Sequence, residues 1–139
     1  MKAYVDTSVV LRIALGEARP LREWRSLQMA VASELVRIES LRSLDRARIL
    51  LHLPDDELAE RRAAVLTILS GFHSAGLDAR VLARAADPFP TLIRTLDALH
   101  LATALLVRAE HPDLVFATHD RELATAARAV GFQVIGAAN

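Results

Sequence analysis

A three-layer α/β/α domain around a central, mostly parallel sheet is the fold this sequence predicts. Two observations carry that expectation. The β-prone runs are short and apolar without alternation, as strands covered on both faces are. Each is separated from the next by a stretch of helical periodicity, which is how parallel neighbours are connected. At 139 residues the chain has the length of one domain, residues 1–139, with a single core.

Residues 2–5 read as the first strand, and Asp6, Thr7 and Ser8 behind it are side chains that cap helices, so a helix is expected to about Leu15. Gly16 and Pro20 punctuate the chain before a second strand over residues 27–31. After Ser33, the residues Leu35, Ile38, Leu41, Leu44 and Arg48 or Ile49 recur at helical spacing until Pro54. Asp55, Asp56 and Glu57 then favour the positive end of another helix, which Gly71 or Gly76 ends. A brief element around Leu77, a helix over 81–86 and a loop holding Pro88 and Pro90 follow. Residues 95–109 form a strongly apolar helix with Pro112 at its exit. A strand over 114–117, a helix over 120–130 closed by Gly131, and a last strand over 132–135 complete the pattern.

Composition excludes several classes. With 17 Lys+Arg against 17 Asp+Glu, no field of the whole molecule gathers polyanions, and any nucleic acid must be held locally. The absence of Cys removes disulfide scaffolds, thiol nucleophiles and thiolate zinc sites, and it suits a reducing cytoplasm. An acid arrives at Asp6, too early for a signal peptide, and no uncharged apolar run approaches the roughly 18 residues of a membrane span. A soluble cytoplasmic protein with no membrane contact is expected. The five glycines are scattered, so there is no phosphate-cradling loop. Ser8 occupies the position where a HAD-type phosphotransferase needs a second Asp. Lys2, the only lysine, leaves a receiver domain without its late one.

The chemistry lies in four acids. Asp6 and Asp120 follow predicted strands, where sheets of this kind bind ligands, while Glu39 and Asp97 lie on apolar helical stretches, where an unpaired charge is costly to desolvate. Each has a plainer reading: a helix cap for Asp6 and Asp120, a dipole-stabilised first-turn acid for Asp97, a pair with Arg42 or Arg46 for Glu39. Taken together in one cleft they would repel one another unless divalent cations neutralise them, and oxygen donors favour Mg²⁺ or Mn²⁺ over zinc.

The sequences Tyr4-Val5-Asp6-Thr7-Ser8-Val9, Ser33-Glu34-Leu35-Val36-Arg37-Ile38-Glu39, Arg94-Thr95-Leu96-Asp97-Ala98-Leu99-His100-Leu101-Ala102-Thr103-Ala104 and Phe116-Ala117-Thr118-His119-Asp120 resemble, in order, a PIN domain of the VapC toxin type. The resemblance implies a Mg²⁺-dependent endoribonuclease, with Mn²⁺ as a substitute, that cleaves RNA, is a homodimer and is neutralised by a cognate antitoxin. It assigns the metal and catalytic roles to Asp6, Glu39, Asp97 and Asp120, with Thr7, Ser8 and Thr118 in support. Glu34 competes with Glu39 but sits beside the Ser33 cap. Glu39 and Asp120 are both candidates to orient or deprotonate the attacking water. A binding module without strong catalysis and a DNA nuclease using the same acids are the alternatives.

Other polar residues have quieter expectations. His100 is expected to be a core histidine with one hydrogen bond, near Asp97 on its helix; His52, His73 and His111 are expected at the surface. His119 falls at a variable position and takes no role. Arg37, Arg42, Arg46 and Arg48 are candidate phosphate contacts or a solvated face. Trp24 is expected to pack in a core or a subunit contact.

Overall fold

The short strand β1 (Lys2–Val5) lies at the middle of a five-stranded sheet and is buried almost throughout. In the computed structural model, which describes residues 1–138, it is followed by α1 (Thr7–Ala14), β2 (Met29–Ser33), α2 (Leu35–Leu51), α3 (Asp55–Ser70) and β3 (His73–Ala75). Then come α4 (Ala79–Ala86), α5 (Thr95–Glu110), β4 (Val115–Ala117), α6 (Arg121–Ala129) and β5 (Val134–Ile135). The strand order is β3-β2-β1-β4-β5 and every pairing is parallel, so the mostly parallel sheet of the sequence reading is wholly parallel among the described residues.

Alternation along β1 divides the core. Ala3 and Val5 point to one face, against Val9 and Val10 of α1 and Val36 of α2. Tyr4 points to the other, where Phe116, Leu101 and Ala104 of α5, and Leu123, Ala126 and Ala127 of α6 enclose it. Tyr4 stacks on Phe116 at 5.2 Å between ring centroids, and both are fully buried. A third cluster, Ala14, Leu44 and Val65, ties α1 to the α2–α3 pair.

Local chemistry moved several boundaries. The second strand starts at Met29, because Leu27 closes a 3₁₀ turn over Trp24–Ser26. α4 begins at Ala79 because Asp78 Oδ1 accepts from the backbone N–H groups of Arg80 and Val81, both at 3.0 Å. The element expected near Leu77 is β3, slightly earlier. The last strand is only Val134–Ile135, since Gly131, at φ +90°, and Phe132 still turn off α6. Trp24 is half-buried edge-on to Phe72 in the α1-side core. No described helix is long and apolar enough to cross a membrane.

The connections leaving β1 and β4 depart in opposite directions along the sheet, opening a crevice at the carboxyl ends of these adjacent strands.

Candidate active site

The register of β1 with β4 builds the base of the site. Val5 lies opposite Ala117, so the next residues, Asp6 and Thr118, face each other past the strand ends. Thr118 Oγ1 donates to Asp6 Oδ2 at 2.7 Å, and Ser8 Oγ donates to Asp6 Oδ1 at 2.6 Å. The same hydroxyls accept from the β4–α6 loop: Asp120 N–H donates to Thr118 Oγ1 at 3.0 Å and His119 N–H to Ser8 Oγ at 2.9 Å. Asp6 also caps α1, accepting from Val9 N–H at 3.4 Å. The buried carboxylate thereby fixes the loop that carries Asp120. Burial pushes the Asp6 carboxyl above its ordinary value, against the lowering effect of Ser8, Thr118, the charge of His100 and Val9.

The turn after β5 holds that loop from the other side. Gly136, at φ +94°, approaches so closely that a Cβ there would sit 2.6 Å from the Thr118 carbonyl oxygen. Its own carbonyl takes a hydrogen bond of 2.8 Å from His119 Nδ1.

Glu39 reaches the site from α2. Thr7 Oγ1 donates to its Oε1 at 2.9 Å, and His100 Nε2 stands 2.5 Å from the same oxygen. Burial works to raise the Glu39 carboxyl, but the hydrogen bond and charge of His100, with the Thr7 bond, outweigh it and hold it below the usual value. Neither Arg42 nor Arg46 pairs with it, so the arginine partner considered from sequence is replaced by a histidine and a threonine. Glu34 faces away and accepts from Leu77 N–H at 2.9 Å.

Asp97, in the first turn of α5, and Asp120, the N-cap of α6, form the open side. Asp120 Oδ1 accepts from Leu123 N–H at 3.0 Å. Burial, then the charge of Asp120, push the Asp97 carboxyl up to about 6; Asp6 and Glu39 add to this and His100 opposes it. The charges of the three other sequence-predicted acids thus all act on Asp97. Glu39, Asp97 and Asp120 line a cleft of about 850 Å³, with Asp6 buried beneath it. The cap readings of Asp6 and Asp120 hold as well: each caps its helix.

One expectation needs correction. His100 was expected to make one hydrogen bond near Asp97; it makes two side-chain contacts, to Glu39 and, through Nδ1, to Tyr4 Oη at 2.7 Å. Arg48 lies on the solvated face of α2, paired with Asp45 at 2.9 Å. Sequence reasoning also missed Arg94 and Arg121, which line the acidic cleft and make no ion pair among the described residues. Their positions beside Asp97 and Asp120 in the chain were the available signal. His52 and His73 are exposed and His111 is half-buried.

Among the described residues no three acidic or histidine side chains stand close enough to ligate one ion as placed. The donor set nevertheless fits a hard divalent cation. It consists of carboxylate and hydroxyl oxygens, and the charge of Asp120, which adds to burial in raising the Asp97 carboxyl, is one that such a cation offsets.

Comparison with known proteins gives concordant results. A family model described as PIN domain matches residues 3–129. The chain is 33% identical over 135 residues to ribonuclease VapC46 of Mycobacterium tuberculosis, covering 95% of each chain. In structure it is similar to Mycobacterium tuberculosis VapC20, described as a Sarcin-Ricin loop cleaving toxin, with TM-score 0.65, 19% identity and coverage of 95% of this chain and 97% of that one. A toxin-antitoxin complex from Klebsiella pneumoniae aligns with TM-score 0.61 at 17% identity, covering 88% of this chain and 91% of its counterpart.

Proposed function

The chain belongs to the PIN domain family, and from that premise we propose that it is a single-domain, Mg²⁺-dependent endoribonuclease, the toxin of a toxin–antitoxin pair. The observation that carries this reading is that Glu39, Asp97 and Asp120, from three separate elements, line one cleft, with Asp6 buried at the adjoining end of β1.

Asp6, Asp97 and Asp120 would hold the cation, with Glu39 reaching it directly or through water. When bound, Mg²⁺ or Mn²⁺ supplies charge neutralisation at the phosphate and lowers the pKa of water. The protein's own groups do the rest. Ser8 and Thr118 hold Asp6 and, through it, the Asp120 loop. Arg94 and Arg121, at the rim, bind the flanking phosphates that a neutral chain must capture locally. Glu39 and Asp120 each have one oxygen tied to the fold and one left over, an arrangement that keeps a carboxylate in place while it takes a proton from the attacking water.

Two surfaces support the partners. An apolar groove of about 630 Å³ along α2, with Ile38, Ile49 and Leu50 exposed, shares Glu39 and Leu96 with the acidic cleft. It suits an antitoxin whose apolar helix lies in the groove and whose basic side chain reaches the acids. The α4–α5 face, with Leu82 exposed and Leu92 98% exposed beside Phe89, suits the homodimer contact.

The test is incubation of the purified protein with single-stranded RNA and single-stranded DNA, with and without Mg²⁺, beside Asp97→Asn. Cleavage of RNA that needs the cation and is lost in the variant is the expected result. RNA left intact under every condition would overturn the reading, and preferential DNA cleavage would move the substrate.

A further inference from the structure

Tyr4, His100 and Glu39 form a continuous chain from the core to the cleft. Tyr4 on β1 is fully buried, and His100 on α5 is 2% exposed. Tyr4 Oη lies 2.7 Å from His100 Nδ1, and His100 Nε2 lies 2.5 Å from Glu39 Oε1. The placement follows from two periodicities. Tyr4 precedes Asp6 by two residues on one strand face, and His100 follows Asp97 by three on one helix face. Both residues of the chain are thus carried into the site by the elements that carry its acids.

A buried histidine needs only to satisfy its two nitrogens, and a backbone carbonyl on its own helix is enough. Here both nitrogens go to side chains of two other elements, β1 and α2. An ionised carboxylate only accepts, so Nε2 carries the proton facing Glu39. The Tyr4 hydroxyl and Nδ1 share the second hydrogen bond, at 2.7 Å, which fixes the orientation of the ring. Thr7 and His100 both donate to Oε1, while Oε2 takes no hydrogen bond from the described residues although Glu39 lines the cleft.

We propose that His100 and Tyr4 are positioning residues of the acidic cleft: Tyr4 locks the imidazole, and the imidazole pins one oxygen of Glu39 so that the other is presented to the cation and its water. This rests on the nuclease reading for its purpose, but its geometry is testable without RNA. Partners that orient metal-binding side chains in this way matter to the ligand almost as much as the ligand itself.

Two substitutions separate the ring's contacts. In His100→Gln the amide nitrogen reaches the place of Nε2 and keeps a donor for Glu39. In His100→Asn the shorter amide reaches only the place of Nδ1, next to Tyr4, and leaves Glu39 without that donor. Calorimetric titration of the metal-free proteins with MnCl₂ is expected to give an affinity about 10- to 100-fold weaker for His100→Asn, with His100→Gln recovering most of the loss. Their melting temperatures should be alike, and Tyr4→Phe should fall between His100→Gln and His100→Asn in affinity. On RNA, kcat should follow the same order while KM stays unchanged.

Equal Mn²⁺ affinities for the Gln and Asn variants would overturn the proposal, whether or not RNA is cut. Affinities that fall only in proportion to melting temperature would also overturn it. A parental protein that binds Mn²⁺ with this ranking but leaves RNA intact would overturn the nuclease reading and support the positioning role. A parental protein that takes up no Mn²⁺ would overturn both.

Discussion

Asp6 and Glu39 stand on the inner side of the acidic cleft and Asp97 and Asp120 on the outer side, and the two pairs are held by different means. The inner acids are fastened by Ser8, Thr118, Thr7 and His100, groups contributed by three helices or strand ends. Of the outer acids, Asp120 is fastened only by its helix cap, and Asp97 carries the repulsion of the other three. Folding therefore sets the inner geometry, whereas the outer geometry awaits a counter-charge.

The largest expected effect breaks this comparison directly. Asp6→Ala and Asp97→Asn should each lower RNA cleavage by about 10² to 10³-fold, the cost of losing one preorganised charged group. Their effects on the metal-free fold should have opposite signs. Asp6→Ala strands the buried Thr118 hydroxyl, the half-buried Ser8 hydroxyl and a helix N–H, costing about 1–3 kcal/mol, while Asp97→Asn removes repulsion and raises the melting temperature at neutral pH. Thermal melts in EDTA check this, and shifts of the same sign would erase the distinction between the two sides.

Metal should act on the outer side. Mn²⁺ at about 100 times its Kd is expected to stabilise the fold by about 2.7 kcal/mol, with the gain abolished by chelation and absent in Asp97→Asn. Differential scanning calorimetry reads it.

The pH dependence sharpens the same contrast. Asp97 titrates in the folded state at about 6 against an ordinary 3.8, so between those values the folded form binds more protons than the unfolded chain. Its contribution to metal-free stability falls as pH rises across that window, and Asp97→Asn should flatten the slope. Glu39 is held below its ordinary value and acts in the opposite sense: its contribution is complete above that value and is lost as pH falls through the folded one. Urea unfolding of the parent, Asp97→Asn and Glu39→Gln across the acid range separates them.

The smallest effect belongs to the rim. Arg94→Ala and Arg121→Ala should raise KM for RNA about two- to fivefold with kcat preserved, as expected for exposed phosphate contacts weakened by salt. Kinetics at two ionic strengths check it.

What could be read in advance tracks how local its cause is. The order of strands and helices was legible because apolar periodicity and first-turn acids such as Asp55 act within a few residues. The acids were legible because Asp6 and Asp120 follow strands and because a charge amid the apolar residues of α5 needs a reason. Boundaries shifted where one side chain decided them, as Asp78 did for α4. The Tyr4–His100–Glu39 chain was not legible, since it depends on how β1, α5 and α2 pack, with its partners 96 and 61 positions apart in sequence. The rim arginines, by contrast, carried a local signal, standing next to Asp120 and three residues before Asp97 in the chain.

Gly136 gives the far end of the chain a stake in the chemistry. The family match stops at residue 129, yet the turn after β5 presses against Thr118 and anchors His119. A shortened protein that keeps every acid but lacks this brace would retain the full set of reactive groups on a hinge that no longer stops.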